Sequence, residues 1–338
     1  MDPLTHALAS YTLKRAAFPR ASGRVTLAVL LAGTFADLDG LSAYFSPSAF
    51  LTFHRTYLHS LLAAFLLALL IALAFLLRKR PPTETQVPFS SLFIPAASAA
   101  FLHLLLDLCQ NATVELLWPF STRRFSLDWL AQLDLWILGI LLAGVLLPLL
   151  SGLVTDEIGA KSKGPKGRGG ASLALATLVL YIGVRSVLHS NALAVLDSRT
   201  YHGESPRRTA ALAESASPFR WQGIVETESA LHEVEVEVGP GAAFDPESAI
   251  TSYKPEPSQS LDAARDTAVA RRFLQSARFP KASVEKTPQG FHIILHTFPY
   301  PRDATSGRRV EALIDTDPNG KILSQELNWE PGSKGAWW

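Results

Sequence analysis

Histidines and aspartates lie at the ends of apolar segments in the first half of the chain. His103 and Asp107 are four residues apart. On a helix they therefore project from one face, about one turn apart, and could ligate one ion or two neighbouring ions. Asp37 and Asp39 are two apart and are followed by Gly40. This spacing predicts that the helix loosens there and lets both carboxylates turn inward.

A second group of polar residues precedes the next apolar segment. His54 and His59 are five residues apart, which places His54 in the loop or first turn and His59 at the start of a span. Arg55 has a planar guanidinium that could clamp an anionic substrate such as a phosphate. Asp39 or Asp134 could serve as general base or orient a ligand histidine.

Imidazole and carboxylate ligands together suit a divalent metal, with zinc favoured over manganese or iron. A metal with an open coordination position can lower the pKa of a bound water toward 7 and deliver hydroxide at neutral pH. The residue types therefore predict metal-dependent hydrolysis. An ionised Asp at the centre of a membrane helix costs about 2.5–3.5 kcal/mol, so a bound cation would also offset the burial of these acids.

Five segments are long and apolar enough to cross a hydrocarbon core. They cover residues 25–45, 58–77, 92–109, 135–154 and 172–196. The sequence thus predicts an α-helical polytopic membrane bundle of about five spans in a first domain, residues 1–198. Charged residues, Pro and Gly become frequent after Thr200.

The basic residues near the span ends predict the orientation. Lys and Arg collect at residues 14–24, 78–80 and 161–168, and cytoplasmic loops are enriched in such residues. With these three clusters inside, the spans alternate without conflict, the His and Asp residues share the outer side, and the chain beyond the fifth span lies outside the cytoplasm.

His6 precedes the first basic cluster, so a cytoplasmic N-terminus would leave it a membrane thickness from the other histidines. A short helix from about Pro3 to Phe18 could resolve this conflict. It would be opened by Asp2, have Pro3 at its first position, and lie within the bundle with its start near the site.

The region from residue 199 to 338 predicts a small extracytoplasmic α+β domain. We expect a helix near 261–278 and strands near 233–238, 282–286, 291–298, 309–315 and 321–329. His292 and His296 share one strand face and are interpreted as sheet residues. No sequence motif in this region indicates an enzymatic activity.

The composition limits the partners. The net charge is +1, and no basic face or recognition motif indicates a nucleic-acid partner. No feature indicates a particular protein partner. Membrane lipids are expected around the bundle, and a lipid-linked or phosphorylated substrate would suit the expected chemistry.

Several short motifs occur together, in an order that resembles a known family. They are Met1-Asp2-Pro3-Leu4-Thr5-His6-Ala7, Ala36-Asp37-Leu38-Asp39, His54-Arg55 with His59-Ser60, His103 with Asp107, and Leu117-Trp118-Pro119-Phe120-Ser121 with Arg124-Phe125. Over roughly the first 155 residues the chain is similar to the YdjM-like bacterial inner-membrane proteins described as metal-dependent hydrolases, which include a LexA-binding member. The resemblance implies a membrane-bound hydrolase with a metal at His6, Asp37, His54, His59, His103 and Asp107.

Two other classes of protein would account for the same residues. The ligands could hold a structural metal in a non-enzymatic membrane protein, or they could line the path of a transported ion. A structural metal predicts unfolding when its ligands are removed, and a transporter predicts metal-dependent flux.

Overall fold

The computed structural model describes residues 1–78, 87–157, 167–239, 241–298 and 309–330. The helices in these ranges are α1 (Pro3–Ala17), α2 (Gly23–Thr34), α3 (Pro47–Phe53), α4 (Leu61–Leu77), α5 (Phe89–Leu108), α6 (Leu135–Glu157), α7 (Arg168–Asp197), α8 (Gln259–Arg265) and α9 (Ala268–Ser276). The strands are β1 (Arg208–Ala213), β2 (Arg220–Glu226), β3 (Ala230–Glu237), β4 (Ile250–Tyr253), β5 (Pro280–Thr287), β6 (Gly290–Thr297), β7 (Val310–Thr316) and β8 (Ile322–Trp329).

Three helical segments within the described ranges are long and apolar enough to cross a membrane. They are Gly23–Tyr44, Phe89–Leu108 and Arg168–Asp197. The other two predicted spans appear as the shorter apolar helices Leu61–Leu77 and Leu135–Leu150, so a crossing at those two stays a prediction. Of the basic clusters used for the orientation, Lys79, Arg80, Lys161, Lys163 and Lys166 lie outside the described residues.

The chain forms two compact units. The membrane unit comprises Met1–Asp39, Arg55–Ser190 and Leu212–Phe219, and the C-terminal unit comprises Gly40–His54, Asn191–Ala211 and Arg220–Trp338. The segment before Arg55, which carries α3, therefore belongs with the C-terminal unit. The predicted domain division at residue 198 stays a prediction.

Small side chains allow the helices of the membrane unit to approach closely. Ala64, Ala68 and Ala72 form a stripe along α4 at four-residue spacing and are buried in one apolar cluster with α2 and α5. Gly33 has so little space around it that an added Cβ would lie 2.8 Å from Cβ of Ser10 in α1. Because apolar lipid provides no hydrophobic force between helices, such close contact contributes to their association.

The first helix begins as the sequence predicts. The Asp2 side chain accepts a hydrogen bond from the Thr5 backbone nitrogen at 2.9 Å, and Pro3 occupies the first helical position. His6 and Ser10 of this helix are buried against the other helices. The prediction of a short N-terminal helix within the bundle is confirmed.

The C-terminal unit contains two four-stranded sheets. The strand orders are β1-β2-β3-β4 and β5-β6-β7-β8, and the registered pairs are antiparallel. Buried Ile293, Leu295 and Ile314 pack beneath α8 and α9 through Leu261 and Phe273. Five strands lie close to their predicted positions, whereas β1, β2 and β4 were not predicted.

The helix predicted over residues 261–278 is interrupted, which corrects that prediction. Thr267 has extended backbone angles, and its side chain accepts from the Ala270 backbone nitrogen at 3.1 Å. A threonine that caps a new helix in this way ends the preceding one. Two short helices, α8 and α9, therefore replace the single long helix.

Candidate metal centre

Three elements of the membrane unit bring four candidate metal ligands together. His6 lies in α1, Asp37 lies in the 3₁₀ segment Phe35–Tyr44 that follows α2, and His103 and Asp107 lie in α5. One ligand atom from each residue lies within 4.8 Å of the others, and all four residues are buried. The predicted loosening of the helix near Asp37 and Asp39 is confirmed by this 3₁₀ segment.

His59, which comes just before α4, completes a tighter triangle with two of these residues. Oδ2 of Asp107 lies 3.1 Å from Nε2 of His59 and 3.2 Å from Nε2 of His103. The two imidazole nitrogens are 3.3 Å apart. Ligands about 2.0–2.1 Å from a tetrahedral zinc would be roughly 3.3–3.4 Å apart, so this triangle has the size of one face of such a site.

The hydrogen bonds of the two imidazoles fix which ring nitrogen faces the triangle. Nδ1 of His103 lies 2.9 Å from the carbonyl oxygen of Gly33, and Nδ1 of His59 lies 2.9 Å from Oδ2 of Asp39. Because these oxygens accept, each Nδ1 carries a proton, and each ring directs its Nε2 atom inward. A proton could bridge only two of the three converging atoms, whereas a metal ion would bind both Nε2 atoms and Oδ2 of Asp107 together.

The other oxygen of Asp107 faces hydrogen-bond donors. Oδ1 accepts from Nε2 of Gln110 at 2.6 Å, contacts the amino nitrogen of Met1 at 2.5 Å, and lies 3.2 Å from Nε2 of His6. The His6 ring stacks on His103 with centroids 3.8 Å apart. Burial holds the pKa of His6 well below its ordinary value, so the ring is neutral, which is the form that ligates metals.

Some buried polar atoms of the group have no hydrogen-bond partner among the described residues. They are Nδ1 of His6, Oδ2 of Asp37 and Oδ2 of Asp107. Buried polar groups are nearly always hydrogen-bonded, so each of these atoms indicates a missing partner. Together with the triangle, the donor set therefore fits a divalent metal ion and its bound water.

Arg55 lies beside this group. Its backbone nitrogen donates to Oδ2 of Asp39 at 3.0 Å, and its carbonyl oxygen accepts from the Glu115 nitrogen at 3.1 Å. Nη2 donates to Oε1 of Gln110 at 3.3 Å, and Nη1 lies 4.0 Å from Oδ1 of Asp107. The guanidinium is thus held next to the candidate metal ligands. The sequence predicts that it binds an anionic substrate, and that role stays a prediction.

Two residues proposed from the sequence occupy other positions. His54 ends α3 in the C-terminal unit, and its ring stacks on Phe50 with centroids 4.6 Å apart. Asp134 precedes α6, where Oδ1 accepts from the backbone nitrogens of Trp136 and Ile137 and from the Tyr181 hydroxyl. Neither belongs to the His and Asp group described above. Their predicted ligand and catalytic roles stay predictions.

Two contributors to the site were not found from the sequence. Gln110 bridges Asp107 and Arg55, and the Gly33 carbonyl orients His103. Gln110 lies three residues after Asp107, just past the end of α5, so its closeness in the sequence was an available signal. A backbone carbonyl leaves no signal in the sequence, although a glycine can indicate close approach of another chain segment.

The apolar spanning helices and the buried His and Asp group define a helical membrane protein with a candidate metal centre. The family model of the YdjM inner membrane protein matches residues 1–192, more than half of the chain. The chain belongs to this family, and the match extends beyond the motifs quoted above. No curated protein and no solved structure matches the chain.

Proposed function

We propose that the protein is a membrane-bound, metal-dependent hydrolase in which a metal-activated water attacks a lipid-linked or phosphoester substrate at the outer face of the membrane. The observation that supports this most directly is the convergence of His59, His103 and Asp107, with both Nε2 atoms directed inward. Two imidazoles and one carboxylate form the ligand set of several catalytic zinc sites, which keep a fourth position for water.

The bound metal would act as a Lewis acid that lowers the pKa of its water. His59, His103 and Asp107 would hold it, with zinc as the preferred ion. Asp39 and the Gly33 carbonyl fix the tautomers of the two histidines.

A buried carboxylate oxygen is available to receive the proton that the water loses. Oδ2 of Asp37 has no hydrogen-bond partner among the residues that the structure describes, and Oδ1 lies 3.8 Å from Nε2 of His103. Asp39, the base considered from the sequence, already accepts from His59 and from the Arg55 backbone. We therefore assign the general base to Asp37 and an orienting role to Asp39.

The direction of the helices supports the proposed orientation. In α1, His6 lies among the ligands, whereas Arg15, nine residues or roughly 13 Å further along the helix, lies against Gly167 at the start of α7. The basic loops of this family member would then lie in the cytoplasm, with the metal ligands toward the outer face. The C-terminal unit would follow α7 outside the cytoplasm.

The test is metal analysis of the full-length protein purified in detergent after incubation with zinc. We expect bound metal in the wild type and its loss in His103→Ala, His59→Ala and Asp107→Asn, with helical circular dichroism retained. His54→Ala is the matched control and should keep the metal because this ring lies on Phe50.

Three outcomes would contradict the proposal. Absence of bound metal in the wild type would contradict metal-dependent hydrolysis directly. Unfolding of the three ligand variants would indicate a structural metal instead. Zinc flux into liposomes, without turnover of phosphoester substrates, would indicate a transporter.

A further inference from the structure

Arg55 is held in an unusual backbone conformation next to the metal ligands. Its φ angle is +57°, in the left-handed region that a non-glycine residue rarely adopts. Hydrogen bonds on both sides, to Asp39 and from Glu115, hold the residue in this conformation. Strained backbone of this kind concentrates at functional sites, where it positions a side chain that the regular structure could not place.

The guanidinium of Arg55 has more donors than the surrounding protein satisfies. The residue is 5% exposed. Nη2 donates to Gln110, whereas Nε and Nη1 have no hydrogen-bond partner within the part of the chain that the structure describes. Arginine stays protonated in proteins, and a buried charge requires partners for its N–H groups. These donors therefore indicate an acceptor that is supplied by a ligand.

The charges around Asp107 identify this ligand as an anion. Oδ1 of Asp107 faces Nε2 of Gln110 at 2.6 Å and Nη1 of Arg55 at 4.0 Å, which leaves a donor-rich side unsuited to a second cation. Oδ2 faces the histidine triangle on the other side. A cation bound by that triangle would be repelled by the Arg55 guanidinium. An anion that contacts both would reduce this repulsion.

We propose that the substrate is a phosphoester whose phosphate group lies between the Arg55 guanidinium and the metal ligands. This inference rests on the proposed function. A phosphate has several non-bridging oxygens, so one can accept from Arg55 while another reaches the metal position. In the reaction, the water oxygen bonds to phosphorus, the bond from phosphorus to the alcohol oxygen breaks, and the alcohol leaves with one proton of the water.

The same phosphate chemistry is available from a lipid headgroup or from a soluble monoester. The first experiment measures binding of inorganic phosphate to zinc-loaded, full-length protein in detergent by titration calorimetry. Removal of hydrogen bonds to a charged group predicts roughly 10- to 100-fold weaker phosphate binding by Arg55→Gln. Arg55→Lys keeps the charge but loses the planar donors, so its loss of phosphate affinity should be smaller. This variant replaces Arg55→Gln in the test if Arg55→Gln does not fold. Arg123→Gln is the control, because Arg123 is exposed and stacks on Phe125.

The second experiment compares hydrolysis of phosphatidic acid in mixed micelles with hydrolysis of glycerol 3-phosphate. Phosphate release from phosphatidic acid alone shows that the substrate is a lipid. Release from both substrates shows that the phosphate group is sufficient for recognition. Release from neither substrate overturns the proposal. It is also overturned if Arg55→Gln binds zinc and phosphate as tightly as the wild type. Absence of zinc binding in the wild type, by contrast, would contradict the proposed function itself.

Discussion

Substitution of Gly33 by alanine tests whether close helix packing positions the candidate metal centre. Gly33 lies in the last turn of α2, and its carbonyl oxygen holds Nδ1 of His103 at 2.9 Å. An added Cβ would lie 2.8 Å from Cβ of Ser10 and closer still to its Oγ, with Cβ of Ala99 at 3.6 Å. Real Cβ atoms do not approach a neighbouring carbon this closely, so α1 and α2 would have to separate.

The separation should weaken metal binding as well as stability. Overpacking costs about 1–3 kcal/mol, and replacement of a helical glycine by alanine returns up to about 1 kcal/mol. The free energy of unfolding should therefore fall by roughly 0–3 kcal/mol, by the difference of these two ranges. Loss of the group that orients a ligand histidine typically weakens metal affinity by about 10- to 100-fold.

The assay is a competition titration for zinc with a chromophoric chelator, together with thermal unfolding of the same preparations in detergent. Gly139→Ala in α6 is the matched control, because no atom of the described ranges lies within 4 Å of the Cβ it would add. The double variant Gly33→Ala with Ser10→Gly removes the obstructing side chain and should recover most of the affinity. Wild-type affinity in Gly33→Ala alone would refute the reasoning, as would failure of the double variant to recover.

Two further predictions follow from the hydrogen bonds and charges. Asp39→Asn removes the carboxylate that holds Nδ1 of His59 at 2.9 Å, so zinc affinity should fall by about 10- to 100-fold; an unchanged titration would exclude the orienting role. In the C-terminal unit, burial with nearby Lys281 and Arg309 lowers the pKa of His296 to about 4. Between pH 4 and the ordinary pKa of 6.5, the unfolded state binds a proton that the folded state does not, so stability should fall as pH falls through this window. His296→Gln should reduce that dependence in thermal unfolding measured against pH, and an identical profile would contradict the assignment.

Local patterns in the sequence determined much of the membrane unit. The four-residue spacing of His103 and Asp107 placed both on one face of a helix, where both now face the ligand group. Asp2 and Pro3 marked the start of the first helix through capping chemistry that depends only on neighbouring residues. Hydropathy located the apolar helices, three of them long enough to cross a membrane, because each apolar segment follows from its own composition.

The tertiary structure alone decided the partners of each side chain. His6 contacts Asp107, 101 residues away in the sequence, and only the packing of α1 within the bundle brings them together. Both His54 and His59 were expected as metal ligands from the sequence, yet His59 faces His103, whereas His54 stacks on Phe50 in the other unit. Which nitrogen of a histidine faces inward depends on an acceptor from another segment. Such acceptors become definite only after the helices have packed.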